Sequence, residues 1–192
     1  MSSAAFPYGM VPVENYGAGY NTQGFDTYTI LDGYTTSIYF GDVVKLASDG
    51  TIQKDTGTTT LAPFGVFLGC RYIQNSTGYV LDAQYWPAST TTGYTVYAKV
   101  STNPFGVFQI QANGPVALTD LGANAAIIQT AGTTQFGRSK NALSASSINT
   151  TDTLPLKIVG FIATPNNTPG DAFTDVLVTF NNNQQILTKL GV

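Results

Sequence analysis

The sequence predicts an all-β protein, a small β-barrel or sandwich with an extended N-terminal arm and a long irregular loop. Glu14 is the only glutamate, and the chain has 20 Gly and 9 Pro, a composition that disfavours long helices. β-Branched and aromatic residues are frequent, and they occur in short runs separated by turn residues along most of the chain. Short strands at such spacing are typical of barrels and sandwiches.

Residues 1–36 differ from the rest of the chain. They contain no Lys or Arg, and their aromatic residues follow neither a helix nor a strand period before Asp26. The segment is too aromatic for an ordinary disordered tail. We therefore expect residues 1–36 to form an extended arm, packed on its own subunit or on a neighbour. Residues 37–192 form the predicted single β-rich domain, which is expected to stay folded without residues 1–25.

Regular patterns begin at Ser37. A first strand is expected to end near Phe40, and a hairpin follows around the tight-turn pair Asp49-Gly50, because apolar and polar residues alternate on its first arm. Residues 64–74 (FGVFLGCRYIQ) predict a buried strand. Glycines within a strand indicate bulges or close backbone approach, and Gly65 and Gly69 have that position.

The second half of the chain continues the β pattern. In residues 118–129, Asp120 is a possible helix N-cap, but Gly122 limits any helix to about one turn. Residues 130–153 are rich in Ser, Thr and Asn and predict a long surface loop or an irregular hairpin. The other predicted strands are VLDAQYWPA (80–88), TGYTVYAKV (92–100), FGVFQIQ (105–111), LKIVGFIAT (156–164) and AFTDVLVTFNNNQQIL (172–187).

Composition excludes several classes of function. The chain has no histidine and one cysteine, so it has no His-based catalytic triad, no imidazole zinc site and no intrachain disulfide. Cys70 lies in an apolar run and is expected to be a small buried hydrophobe. We expect no metal and no cofactor.

The charge pattern limits the binding partners and the cellular compartment that we expect for this chain. Eight Lys and Arg stand against eleven Asp and Glu without a basic cluster, which argues against nucleic-acid binding. No apolar stretch approaches the ~18 residues of a membrane span. The first basic residue is Lys45, so the positive start of a signal peptide is missing, and we expect synthesis in the cytoplasm.

Two groups of residues could carry chemistry or binding. Asp171 and Asp175 are the carboxylates nearest to each other in sequence, and a glycosidase would need such a pair. Turn and cap roles explain both residues more simply. We therefore expect that the protein is not an enzyme. Tyr85-Trp86-Pro87 could form a stacking platform for a sugar or an anchor for a protein partner. Alternatively, Trp86 closes the core beside Pro87.

The chain resembles a family of small structural proteins that accompany the major capsid protein in tailed bacteriophages, the decoration or cement proteins. The order and spacing of the shared segments carry the resemblance, and residues 130–153 contribute little to it. The segments are Phe6–Val13 (FPYGMVPV), Ile38–Leu46, Phe64–Gly69, Gln84–Thr90, Val96–Gln111, Leu121–Ile127 and Leu154–Gln184.

The resemblance implies a β-rich fold without an active site and a role on the outer surface of the virion. Such a protein binds the major capsid protein and stabilises the shell. It further implies a homo-oligomer, with a trimer as the expected state. The interface is predicted at exposed apolar and aromatic side chains of the arm and of the platform: Phe6, Pro7, Tyr8, Met10, Val11, Pro12, Val13, Tyr16, Tyr20, Tyr85 and Trp86.

One alternative function stays open at this point. A phage fibre or receptor-binding β-module would share the low histidine and the high Thr and Asn content. Such a module would place Trp86 and its neighbours in an exposed site for a surface glycan.

Overall fold

The computed structural model describes residues 4–15, 19–20 and 24–185, and of residues 19–20 it describes the backbone. This part of the chain contains short strands and two 3-10 helices, Leu118–Asp120 and Ala145–Ser147, and no helix of seven residues or more. The all-β prediction is confirmed. The strands are β1 (Val11–Asn15), β2 (Gly19–Tyr20), β3 (Asp26–Ile30), β4 (Ile38–Tyr39), β5 (Val43–Leu46), β6 (Ile52–Lys54), β7 (Gly65–Ile73), β8 (Val80–Ala83), β9 (Tyr85–Trp86), β10 (Val96–Ser101), β11 (Gly106–Gln111), β12 (Asn124–Ala125), β13 (Ile127–Ile128), β14 (Ala142–Leu143), β15 (Leu156–Phe161) and β16 (Asp175–Phe180).

Five strands close a small barrel in the order β10-β3-β6-β5-β7, because β10 also pairs with β7. Strand β8 continues this sheet beyond β7. The β3–β6 pair is parallel and the others are antiparallel. The barrel interior is filled by residues such as Ile52, Phe67, Trp86 and Val100, all of them fully buried.

A second sheet has the order β12-β15-β16-β11-β1-β2 and is antiparallel throughout. Its core contains Phe108, Ile110, Ile158 and Val178. Two short pairs, β13–β14 and β4–β9, complete the fold.

Strand β7 is buried on both faces. Val66 packs in the core of the second sheet, and its neighbour Phe67 packs in the barrel. Successive side chains of a strand point to opposite faces, so the barrel wall covers the second sheet. This position explains why residues 64–70 form a nearly continuous apolar run rather than an alternating one.

Several local predictions are confirmed. The hairpin forms from β5 and β6, with Gly50 at positive φ in its turn. A Cβ on Gly65 would lie 2.4 Å from the Ser101 carbonyl oxygen, and Gly69 has φ of 137° beside a register shift between β7 and β10. Cys70 is buried in the barrel.

The described parts of residues 1–36 pair with strands of the same subunit. Strand β1 pairs with β11 and with β2 in the second sheet, while β3 is a wall strand of the barrel. The described parts of this segment therefore pack on their own subunit, one of the two surfaces expected for the arm. Its irregular aromatic spacing arises because it contributes to two different sheets in turn.

One detail of the second half differs from expectation. Asp120 is not an N-cap. It is the last residue of the 3-10 helix, and its carboxylate accepts the N–H of Ala117 at 2.8 Å. Residues 130–153 include β14, which pairs with β13 just before this stretch. Ser139, Asn141 and Leu143 of this stretch are buried.

Candidate protein interface

The backbone of residues 4–10, termed the N-terminal segment, is hydrogen-bonded to the body of the protein. The Phe6 N–H donates to Oε1 of Gln111 at 2.7 Å, and Nε2 of Gln111 donates to the Ala4 carbonyl at 3.3 Å. Further along, the Met10 N–H donates to the Gly41 carbonyl at 2.9 Å. The course of the N-terminal segment is thus set by bonds that need no partner molecule.

Gly9 allows this close approach. Its φ is 78°, and a Cβ there would lie 2.6 Å from Cβ of Ser139 and 2.7 Å from the Gly41 carbonyl oxygen. Only glycine adopts such a backbone without strain and leaves the necessary space. These close contacts explain why a glycine occupies position 9 in FPYGM.

The side chains of the N-terminal segment differ sharply in exposure. Met10 is fully buried in the core of the second sheet, whereas Phe6 is 70% exposed. Tyr8 lies between these extremes, and its O–H donates to Oδ1 of Asp175 at 2.8 Å. Burial, together with the nearby Asp175, raises the pKa of Tyr8, and burial likewise raises the pKa of Asp175. Tyr8 is thus a neutral hydrogen-bond donor at physiological pH.

A groove of about 780 Å³, termed the Phe6 groove, lies between the N-terminal segment and residues 133–140. Phe6 lines it together with Phe136, which is 63% exposed. Arg138 and Lys140 also line it, and none of the described lining residues is acidic. The groove combines two exposed aromatic rings with two cations. The lining residues are Ala5, Phe6, Pro7, Tyr8, Gln84, Thr133, Phe136, Arg138, Ser139 and Lys140.

The far wall of the Phe6 groove is held by the buried carboxylate of Asp42. Oδ1 accepts from Oγ of Ser139 at 2.7 Å and from Nδ2 of Asn141 at 3.2 Å. Oδ2 accepts from Nζ of Lys54 at 2.9 Å and from the Tyr39 N–H at 2.9 Å. This carboxylate ties residues 139–141 to the barrel, so both walls of the groove rest on the same body.

Only one wall of this groove follows from the sequence. Phe6, Pro7 and Tyr8 were expected at an interface, but Phe136, Arg138 and Lys140 were not. They lie in residues 130–153, which were expected to be a long surface loop or an irregular hairpin. The sequence does contain one feature that could have indicated this wall. Phe136 is an isolated aromatic residue, and two of the chain's eight basic residues follow it within four positions.

Other predicted interface residues lie elsewhere. Val11, Pro12 and Val13 are partly buried in β1, beside β11. Met10 was wrongly predicted to need cover from a neighbour, because its own core covers it completely. Tyr16 and the side chain of Tyr20 lie outside the described part of the chain.

The predicted aromatic platform does not form. Trp86 is fully buried, its ring lies edge-on to Tyr72 with centroids 5.2 Å apart, and its Nε1–H donates to the Tyr34 carbonyl at 3.4 Å. Trp86 as an interface residue is therefore wrong, and the alternative that it closes the core is correct. Tyr85 is partly buried and stacks on Tyr39 at 5.5 Å.

The carboxylates considered for catalysis have structural partners. Asp171 accepts the Thr168 N–H at 2.9 Å within a turn, and Asp175 accepts from Tyr8. In the described residues no three Asp, Glu or Cys side chains group as a metal site would require. The same part of the chain contains no helix with the length and apolar character needed to span a membrane.

Comparison with protein-family models, with curated proteins and with solved structures found no match.

Proposed function

We propose that this chain is a non-enzymatic virion structural protein that binds the outside of a tailed-bacteriophage capsid and stabilises the shell. The segment order that resembles decoration proteins supports this role. The main observation in support of this role concerns Phe6. Its backbone is hydrogen-bonded to Gln111 while its side chain is exposed. In this proposal the Phe6 groove receives a segment of the major capsid protein.

A fixed and exposed aromatic ring is well suited to docking. Ordering the backbone of one residue costs about 1–2 kcal/mol of free energy. The hydrogen bonds with the Gln111 side chain already order the backbone at Phe6 before a partner binds. Burial of a phenylalanine ring then contributes about 1.5–3 kcal/mol. Phe136 faces the same groove, so a partner side chain inserted there would contact two rings. Such aromatic pockets are where binding energy concentrates.

Charge suggests the chemistry of the capsid segment. Arg138 and Lys140 give the groove a positive edge on a chain whose formal charge is −3. A segment with one apolar side chain and a nearby carboxylate would complement this arrangement. The low overall charge also suits copies crowded on a shell, because neighbouring subunits would repel one another little.

Self-association into a trimer is part of the proposal and comes from the resemblance alone. Sedimentation velocity of the purified chain measures its state in solution, and electron cryomicroscopy of decorated shells measures its state on the capsid. A trimer, free or formed on the shell, agrees with the proposal, whereas monomers spaced apart on the capsid would contradict it.

A glycan-binding fibre module, the alternative function, would need Trp86 and its neighbours in an exposed sugar site. Trp86 is enclosed in the barrel, so it offers no surface to a sugar. Nothing else on the Tyr85-Trp86-Pro87 segment replaces it, since Tyr85 is already stacked on Tyr39.

Co-sedimentation with expanded capsid shells that lack this protein tests the proposal. Wild-type chain should pellet with the shells, and Phe6→Ala or Phe136→Ala should weaken binding at least tenfold. Phe105→Ala is the matched control, because Phe105 is equally exposed but lies in the turn between β10 and β11. If the wild-type chain stays in the supernatant, or Phe6→Ala binds as tightly as the control, the proposal is wrong.

A further inference from the structure

The outer face of the barrel carries a second cleft, built by four neighbouring strands. Its volume is about 460 Å³. Strands β8, β7, β10 and β3 lie side by side in this order, which makes the cleft a rigid part of the sheet. Its lining residues are Phe25, Thr27, Arg71, Asp82, Tyr97 and Lys99.

The strand registers bring these side chains together. Tyr97 is opposite Arg71 across β10 and β7, and Arg71 is opposite Asp82 across β7 and β8. The residues on either side of Tyr97, Val96 and Ala98, are fully buried, so Tyr97 points outward. Tyr97 as a whole is 47% exposed.

Three charged side chains line the cleft and contact one another. Oδ1 of Asp82 accepts from Nζ of Lys99 at 2.8 Å, and Oδ2 lies 3.2 Å from Nε of Arg71. Nζ of Lys99 also lies 5.3 Å from the centre of the Phe25 ring. The bond from Lys99 holds the pKa of Asp82 below its usual value, so the carboxylate stays ionised. The three side chains leave a local charge of +1.

We infer that this cleft, termed the Tyr97 cleft, binds a saccharide that carries a carboxylate. A pyranose ring has an apolar C–H face, which packs against an exposed aromatic ring, and hydroxyls at its edge, which bond to carboxylate and guanidinium groups. The cleft offers both in one place, with the Tyr97 ring beside Asp82 and Arg71. Arg71 is engaged through Nε, and its terminal nitrogens suit a two-point bond to the sugar carboxylate.

Single-stranded nucleic acid would be the competing ligand, because it also combines stacking with cations. The cleft fits it less well. Neutralisation of phosphates supplies most of such affinity, and here a carboxylate lies between the two cations on a chain of formal charge −3. A saccharide with one carboxylate is matched by the local charge of +1 that the three side chains leave.

The test is an amide NMR titration of the full chain with methyl glucuronide and with methyl glucoside, which differ in the carboxylate. The glucuronide should shift the amide signals of residues 25–27, 71, 82, 97 and 99 and bind at least fivefold more tightly than the glucoside. Tyr97→Ala should weaken glucuronide binding at least fivefold, and Arg71→Gln should abolish the preference between the two sugars.

Tyr79→Ala is the control, because Tyr79 is exposed but lies outside the cleft. It should leave both affinities unchanged. The inference is overturned if neither sugar shifts these signals at 50 mM, roughly the weakest affinity that monosaccharide contacts would give, or if Tyr97→Ala and Tyr79→Ala behave alike. A ten-residue oligothymidylate that shifts them when the glucuronide does not would identify a nucleic-acid site instead. Capsids take no part in this test, so its outcome is independent of the proposed function.

Discussion

Val43 and Val44 are adjacent on β5, yet they pack into different cores. Val43 lies in the core of the second sheet with Phe108 and Ile158, and Val44 lies in the barrel with Phe67 and Trp86. Since both side chains are fully buried, β5 is a wall common to the two cores. The barrel and the second sheet should therefore unfold together.

This common wall predicts that Val43→Ala and Val44→Ala have similar effects. Each should lower the free energy of unfolding by about 2 kcal/mol through lost burial and a residual cavity. Chemical denaturation should stay a single transition in both variants. Val80→Ala, at an exposed position of β8, is the matched control and should change stability by less than about 0.5 kcal/mol. Two separate transitions would contradict the common wall.

The N-terminal segment is predicted to stabilise the fold through Met10. Met10→Ala should cost about 2–5 kcal/mol, because the side chain is fully buried. Removal of residues 1–15 should cost more, since β1 is then lost from the second sheet. This is the opposite of the sequence-based expectation of a separable arm. Thermal unfolding followed by circular dichroism measures both effects.

Phe6→Ala is the control for Met10→Ala, because the Phe6 ring is exposed and its bond to Gln111 uses the backbone. Its stability should equal that of the wild type. An unchanged melting temperature for the chain without residues 1–15 would show that β1 is dispensable and would restore the idea of an arm.

Local features of this fold could be predicted from the sequence, and long-range features could not. The β5–β6 hairpin follows from the Asp49-Gly50 turn, and the close approach at Gly65 follows from a glycine within an apolar strand. By contrast, Ser139 bonds to Asp42 across 97 positions of sequence. No local pattern gives that contact, so the wall of the Phe6 groove was missed.

Asp42 is predicted to be the most sensitive carboxylate of the chain. Asp42→Asn would leave Lys54 buried without its counter-ion, and loss of one partner of a buried pair costs about 3–5 kcal/mol. Both side chains of the Lys54–Asp42 pair are at most 9% exposed. Asp82→Asn removes the exposed pairs with Arg71 and Lys99 and should lower the free energy of unfolding far less, because solvent screens exposed ion pairs. Equal losses in urea denaturation would contradict the assignment.

The Tyr8–Asp175 hydrogen bond predicts a dependence of stability on alkaline pH. Burial raises the pKa of Tyr8 above its ordinary value of 10.0, so the unfolded chain releases this proton first. The contribution of Tyr8 to stability is therefore complete below pH 10 and is lost as pH rises towards the folded-state pKa. A full proton difference corresponds to about 1.4 kcal/mol per pH unit.

Comparison of wild type with Tyr8→Phe isolates this effect. The free energy of unfolding of the wild type should fall more steeply between pH 10 and about 11.5 than that of the variant, which has no proton to lose there. Tyr79→Phe, at an exposed tyrosine, should follow the wild type. Parallel curves for Tyr8→Phe and wild type would mean that Tyr8 titrates normally.

The cations of the Phe6 groove predict a salt-dependent contribution to capsid binding. Arg138 and Lys140 lie at the surface, so their attraction for an acidic segment is screened over about 8 Å at physiological salt. Reversal of both charges, Arg138→Glu with Lys140→Glu, should weaken co-sedimentation with shells at least tenfold at low salt and by a smaller factor in high salt. Lys157→Glu is the control, because the Lys157 ammonium bonds to the Gly122 carbonyl beside β15, away from the groove. If the double variant binds as the control does at every salt concentration, the groove recognises its partner through apolar contact alone, and the acidic character assigned to the capsid segment is wrong.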